Sequence, residues 1–135
     1  MIADGSRLEV IDKYGFSGCE ITTFTAPASL RTIESGAFYE CKNLQWVSLN
    51  EGLEAIGWCC FADSSLERIN LPDTLKRLDS DAFSECDRLK TVQLSTGTID
   101  LSNEKCRTFT LSPDVSEISY HVAFSSLGVR KLIFP

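Results

Sequence analysis

Hydrophobic positions recur along this chain in blocks of 22 or 23 residues. Each block opens with two aliphatic residues three positions apart and places a phenylalanine five positions later. It closes with two apolar residues that one polar residue separates. The clearest blocks open at Leu30, Leu53 and Leu75 and carry Phe38, Phe61 and Phe83. A repeat of this length is typical of a solenoid, in which no coil buries its apolar side alone and neighbouring coils stack.

The end of each block predicts a β-strand, because apolar and polar residues alternate there and β-branched types are common. The alternating segments are Val47-x-Leu49, Ile69-x-Leu71, Val92-x-Leu94 and Leu132-x-Phe134, and a further strand is expected near 108–111. Proline follows several of these segments and would end the strand. We expect the strands to lie about 4.8 Å apart in one parallel sheet.

The phenylalanine-bearing part of each block predicts a tight turn or a short helix. Its apolar residues return at spacings of three to five, and it opens with small and polar residues such as Glu34, Ser35 and Gly36. Residues of these types favour a turn that leads into a helix. This segment would form the side of each coil that faces away from the sheet.

The repeat divides the 135 residues into the units of a single domain. Their approximate bounds are 8–29, 30–52, 53–74, 75–97, an irregular unit 98–114, and 115–135. Nothing before Leu8 carries the pattern. In the irregular unit, residues 98–105 replace the segment with phenylalanine and cysteine, and we interpret them as a loop. Two alternatives stay open: the array is a fragment of a longer one, or two copies of the chain meet through their ends.

The full pattern resembles the BspA-type (Treponema-type) leucine-rich repeat of bacterial and protist surface proteins. It reads Leu-x-x-Ile-x4-Phe-x2-Cys-x2-Leu-x-x-(Ile/Val)-x-Leu-Pro, and residues 32–49 and 75–94 carry almost all of it. The resemblance extends over 8–135. It implies an α/β repeat, namely a leucine-rich-repeat solenoid with a parallel sheet on the concave side and short helices or turns on the convex side. It also implies a cell-surface or secreted parent of adhesin-like function.

One column departs from the common leucine-rich repeat, which places Asn or Cys three residues after the strand. Here the column reads Ser29, Gly52, Thr74, Gly97 and Asp114. Because an asparagine ladder is absent, we expect Ser, Thr and Gly to satisfy the backbone of each turn locally.

The composition and charge of the chain exclude some classes of partner. A net charge of −6 argues against nucleic acid, which needs a basic surface. No run of 18 apolar residues predicts membrane insertion. The N-terminus has no signal-peptide pattern, which is compatible with a cytoplasmic protein and equally with a segment of a longer secreted chain.

Catalytic, metal and cofactor sites find no support in the residues. Cys19, Cys41 and Cys86 share one column and are expected to be free buried thiols, with a Cys19–Cys41 disulfide as the alternative. No C-x-x-C spacing indicates zinc. The single histidine, His121, has no acid–base partner at a fixed spacing, although Cys106 falls in the neighbouring coil. We therefore predict a protein that is not an enzyme and holds no cofactor.

The polar positions of the strands are the candidate binding site, because they point out of the concave sheet. They form a polar, mildly basic strip, in which Glu67 is the one acid. Its partner-binding residues are predicted to be Trp46, Arg68, Asn70, Lys90, Gln93, Arg107, Thr110 and Lys131. The alternative is ordinary solvation of a strand face.

The sequence thus predicts a module that binds a protein ligand, with a structural spacer or scaffold repeat as the alternative. We also expect self-association through the C-terminal coil, which would bury Leu132 and Phe134, because an uncapped strand edge pairs readily.

Overall fold

The computed structural model describes residues 7–79, 81–94, 97–100, 108–110 and 131–133. Within these ranges the secondary structure consists of short strands joined by turns, and no helix is present. The strands are β1 (Val10–Ile11), β2 (Thr23–Thr25), β3 (Thr32–Ile33), β4 (Trp46–Ser48), β5 (Ala55–Ile56), β6 (Arg68–Asn70), β7 (Arg77–Leu78), β8 (Thr91–Leu94), β9 (Gly97–Asp100), β10 (Thr108–Thr110) and β11 (Lys131–Ile133).

The stacked coils form a β-solenoid of about four turns with two parallel walls. The larger wall has the strand order β2-β4-β6-β8-β9, and the smaller has β1-β3-β5-β7. The predicted strands at 47–49, 69–71 and 92–94 are confirmed to within a residue or two. The expectation of one parallel sheet is wrong, because the second aliphatic residue of each opening pair and the residue before it form a second wall of two-residue strands.

The register of both walls follows the sequence repeat. In the larger wall the inward residues Phe24, Val47, Ile69 and Val92 are successive partners, and each is at most 7% exposed. Identical columns meet because each coil advances the chain by one repeat. Burial of these apolar side chains is the main source of stability of the stack.

The convex side consists of turns, so the short-helix alternative is not confirmed. Two positions in each turn, two residues before and two after the phenylalanine, have positive φ. Around Phe38 these are Gly36 (66°) and Glu40 (55°), and around Phe61 they are Cys59 (52°) and Asp63 (56°). A right-handed helix cannot pass through left-handed residues.

Backbone hydrogen bonds on the convex side run between coils. The Phe16 N–H donates to the Ala37 carbonyl at 2.8 Å, and the Phe38 N–H donates to the Cys60 carbonyl at 2.8 Å. The left-handed residues turn alternate peptide groups toward the neighbouring coil. The backbone N–H and C=O groups of each coil therefore find hydrogen-bond partners in the next coil. These hydrogen bonds offset the cost of the unfavourable φ values.

The phenylalanines form one column in the interior. Phe38, Phe61 and Phe83 are at most 1% exposed, and their rings stack at 5.3 Å and 5.8 Å with interplanar angles of 10° and 6°. Phe16 continues the stack at 5.4 Å from Phe38. The leucines that open the blocks are buried as a second column, so both predicted columns are confirmed.

The Ser and Thr side chains of the column that lacks asparagine (Ser29, Gly52 and Thr74 among the described residues) form hydrogen bonds to a neighbouring coil. The expectation that they bond within their own turn is therefore wrong. The Ser29 hydroxyl donates to the Leu8 carbonyl at 2.7 Å, and the Thr74 hydroxyl donates to the Leu53 carbonyl at 2.8 Å. Where the column holds glycine, Asn50 Nδ2 reaches the Leu30 carbonyl at 2.9 Å. One asparagine, two positions earlier, thus replaces the missing hydroxyl.

The regular stacking changes at β9. This strand pairs antiparallel with β8, and it occupies part of the segment that the sequence predicted as a loop. The predicted strands near 108–111 and 132–134 are present as β10 and β11, which pair with each other in parallel. They form a sheet separate from β2-β4-β6-β8-β9, so the expected continuous sheet is interrupted here.

Candidate interface on the concave sheet

The outward face of β2, β4, β6 and β8 forms a groove of about 810 Å³. Side chains on a strand alternate between its two faces, so the residues flanking the buried column point into this groove. Most of them carry hydroxyl or amide groups, and the polar members of the lining include Thr23, Thr25, Ser48, Asn70, Thr91 and Gln93.

Trp46 and Arg68 form the largest feature of the groove. They are register partners on β4 and β6, and the Arg68 guanidinium carbon lies 4.1 Å from the centroid of the Trp46 ring. Trp46 remains 48% exposed. A guanidinium at this distance over an indole makes a cation–π contact, which holds two long side chains in one arrangement on the surface.

Asn70 uses its amide to complete the sheet. Its Oδ1 accepts from the Leu49 N–H at 2.7 Å, and its Nδ2 donates to the Leu49 carbonyl at 2.8 Å. In the flanking coils the equivalent N–H groups, such as that of Ala26, donate to a backbone carbonyl instead. The half-buried Asn70 side chain is therefore a fixed part of the groove wall.

The other predicted strip residues are placed unequally. Gln93 is exposed and lines the groove, whereas Lys90 is exposed beside it, one residue before β8. Thr110 lies in β10 and Lys131 in β11, which belong to the separate two-stranded sheet. Arg107 lies outside the described residues. The structure thus brings Trp46, Arg68, Asn70 and Gln93 together in one groove.

Glu51 also lines the groove, and the sequence prediction of a basic strip missed it. It follows the end of β4, outside the alternating positions by which the strip was chosen. The described lining therefore holds one arginine and one glutamate. The lining of the groove thus carries no net charge, and the basic character of the strip stays a prediction that also involves Lys90, Arg107 and Lys131.

The described cysteines are free thiols, and their surroundings make them structural. Cys41, Cys60 and Cys86 are buried, while Cys19 and Cys59 are half-buried. The Cys41 and Cys86 Sγ atoms donate to the carbonyls of Phe16 and Phe61 in the preceding coils, both at 3.0 Å.

Burial raises the pKa of the Cys41 and Cys86 thiols, and it raises the pKa of Cys60 well above its usual value. High pKa values leave little reactive thiolate at neutral pH. Within the described ranges no group of three His, Cys, Asp or Glu residues could hold a metal ion. Cys106 and His121 lie outside these ranges.

The sequence profile of the BspA-type leucine-rich repeat region matches residues 9–130 in six copies. The chain belongs to this family. Leucine-rich repeats generally mediate protein interactions, and the leucine-rich-repeat fold is generally non-enzymatic. No curated protein matches the chain significantly. In the part of the chain that the structure describes, no helix is long and apolar enough to cross a membrane.

Two solved structures share the fold. One is a leucine rich cell surface protein from Faecalibacterium prausnitzii A2-165, with 25% identity over 76% of this chain and a TM-score of 0.58. The other is a leucine-rich repeat protein from Bacteroides ovatus, with 21% identity over 95% of this chain and a TM-score of 0.51. The chain spans 33% and 41% of the length of these two proteins.

Proposed function

We propose that this BspA-type repeat chain is a protein-binding module whose concave groove contacts the ligand. The observation that supports the proposal is the exposed Trp46–Arg68 stack. It lies on strands β4 and β6, each of which is hydrogen-bonded to a neighbouring strand on both edges. Trp and Arg are enriched among the residues that dominate binding energy in protein interfaces. A stack held in place before binding loses little conformational freedom when the ligand arrives.

The size of the strip sets an expectation for affinity. Four strands spaced about 4.8 Å apart, with about three residues of 3.3 Å each, give a face of roughly 19 by 10 Å. A stable interface buries about 800 Å² per partner. The described strip supplies about a quarter of that area in projection. We therefore expect affinity no tighter than micromolar from this strip alone, with further coils adding contact.

We further propose that the parent protein is exposed at the cell surface or secreted, and that it acts as an adhesin toward host proteins or neighbouring cells. Support comes from the family and from the structural neighbour described as a cell surface protein. The partner-binding role of Lys90, Arg107, Thr110 and Lys131 is part of the same proposal.

A structural spacer is the second candidate. The inter-coil hydrogen bonds on both sides of each coil favour it, since they make a rigid rod with or without a ligand. The two functions differ in what the groove does. A spacer keeps its function after any substitution at Trp46 and Arg68 that leaves the protein folded and soluble. A binding module loses its ligand after the same substitutions.

A pull-down with host surface and matrix proteins tests the proposal. Trp46→Ala and Arg68→Glu should each release the ligand. Trp58→Ala is the matched control for the aromatic change, because Trp58 lies on the convex side and is also 48% exposed. Arg88→Glu makes the same charge change at an exposed position outside the groove lining. Ligand retention by both groove variants would favour the spacer.

We also propose that the C-terminal coil mediates self-association. The proposal rests on β11, which among the described strands pairs with β10 alone, and on the tendency of an unpaired strand edge to pair with another chain. Phe134 lies outside the described residues. Light scattering over a concentration series should show a mass that rises with concentration, and a constant monomer mass at hundreds of micromolar would contradict the proposal.

A further inference from the structure

We infer that the ligand of the groove is a protein segment that places a carboxylate side chain on Arg68 and an adjacent apolar side chain on Trp46. This inference rests on the proposed binding function and specifies the chemistry of the partner. It follows from the state of Arg68, from its neighbours across the sheet, and from the charge of the whole chain.

The guanidinium of Arg68 is held against Trp46 and has no acidic partner among the described residues. Its carbon lies over the Trp46 ring, 4.1 Å from the ring centroid, so this contact holds the guanidinium beside the indole. The described ion pairs join Lys42 to Asp63, Lys76 to Glu54 and Arg77 to Asp79, and none involves Arg68. A stacked guanidinium keeps its N–H groups at the edge of its plane, where they match the two oxygens of a carboxylate.

The neighbours of Arg68 form a row of complementary groups. On one side its register partner is Trp46, and on the other side it is Thr91. Register partners in a parallel sheet lie about 4.8 Å apart. A carboxylate on Arg68 would therefore lie beside an apolar ring and beside a hydroxyl that can donate a further hydrogen bond. A side chain next to the carboxylate in the ligand would reach the exposed face of Trp46.

The charge of the chain favours one carboxylate within a protein surface over a polyanion. The net charge is −6, and Glu51 lines the same groove. A nucleic acid or a sulfated polysaccharide would meet repulsion beyond the immediate contact, and it needs several cations to offset this. A single carboxylate needs only Arg68, because salt screens the remaining charges beyond about 8 Å.

Selection from a random dodecapeptide display library provides the test. The chain is used as bait, and Trp46→Ala is used for counter-selection, so that the recovered peptides depend on the groove. We expect them to be enriched in Asp or Glu next to an aromatic or aliphatic residue. In each peptide, replacing that acid with its amide should weaken binding to the wild-type chain about tenfold, since a charge-assisted pair becomes a neutral one.

The variant Arg68→Gln identifies the arginine that carries this discrimination. On it, acid and amide peptides should bind within a factor of about two of each other. Arg68→Lys should retain part of the preference, because it keeps the charge and loses the paired N–H groups. Circular dichroism of each variant checks that the solenoid is intact.

The outcomes separate the inference from the proposed function. Groove-dependent peptides without acid enrichment, or a tenfold acid preference that persists in Arg68→Gln, would overturn the carboxylate and leave a protein-binding groove. Competition by heparin that is stronger than competition by the acidic peptides would also overturn it, in favour of a polyanion. Recovery of no Trp46-dependent peptide would count against the binding function itself.

Discussion

Phe61→Ala tests the stacked interior most directly. Phe61 is fully buried, and its ring lies between Phe38 at 5.3 Å and Phe83 at 5.8 Å, nearly parallel to both. Alanine would leave a ring-sized cavity in the middle of the column and would remove both aromatic contacts. Replacement of a buried phenylalanine by alanine costs about 3–5 kcal/mol. We expect the upper half of that range, because each stacked pair adds about 0.5–1.5 kcal/mol beyond simple burial.

Phe16→Ala is the matched control for this substitution. Phe16 occupies the same column in the first coil, but it is only half-buried; it stacks on Phe38 and has a tilted contact with Phe24 at 6.2 Å. The chemical change is identical, so the difference measures the full burial of Phe61 and its parallel stacking on both faces. We expect a cost of roughly 2 kcal/mol for Phe16→Ala, about half that for Phe61→Ala.

Urea denaturation followed by circular dichroism measures both costs. A domain of this size has a total stability of about 5–15 kcal/mol, so Phe61→Ala should remove a large part of it. With an m-value near 2 kcal/mol/M, the midpoint should fall by about 2 M. A loss for Phe61→Ala equal to or smaller than the loss for Phe16→Ala would refute the stacked column as the main support of the fold.

Three further predictions concern single features. A double-mutant cycle on Trp46 and Arg68, measured by urea denaturation, should give a coupling of about 0.5–1 kcal/mol, and zero coupling would contradict the stack. Gly57→Ala should destabilise more than Gly18→Ala. A β-carbon at Gly57 would lie 2.4 Å from a backbone nitrogen, whereas at Gly18 only the positive φ opposes it, by about 1 kcal/mol. Burial raises the pKa of Cys60, so the unfolded chain loses its thiol proton first. Stability should then fall as pH rises above about 8.5, by up to about 1.4 kcal/mol per pH unit per thiol, and Cys60→Ala should reduce this slope.

The sequence by itself determined the columns of the solenoid. Leu53, Ile56, Phe61 and Ile69 recur with their equivalents at one period, and stacked coils gain most of their stability by burying apolar area. Any fold that failed to stack these positions would leave them in water. For the same reason the alternation around Val47 and Ile69 predicted the main strands and showed that Trp46 and Arg68 face outward.

The second sheet and the convex turns were decided by the tertiary structure. Strands such as Thr32–Ile33 are two residues long, which is too short for an alternating pattern to be visible. Among the described convex turns, glycine holds only two of the left-handed positions, Gly18 and Gly36; others carry Tyr14, Glu40 and Glu85, which are not the residues that usually signal positive φ. Tyr14 and Glu40 accept the conformation because their N–H groups donate to the Ser35 and Ala62 carbonyls of the next coil, about 22 positions away. Local sequence carries little information about such a bond.

In the candidate site, too, the sequence determined one part and the tertiary structure decided the other. The period identified which side chains share the concave face, but it could not show how neighbours across the sheet pair with one another. Arg68 stacks on Trp46, while Asn70 lies two residues later on the same face and forms hydrogen bonds with the backbone of Leu49. Glu51 enters the groove from a turn that the alternation did not include. These arrangements depend on distances between residues of different coils, which exist only once the coils have stacked.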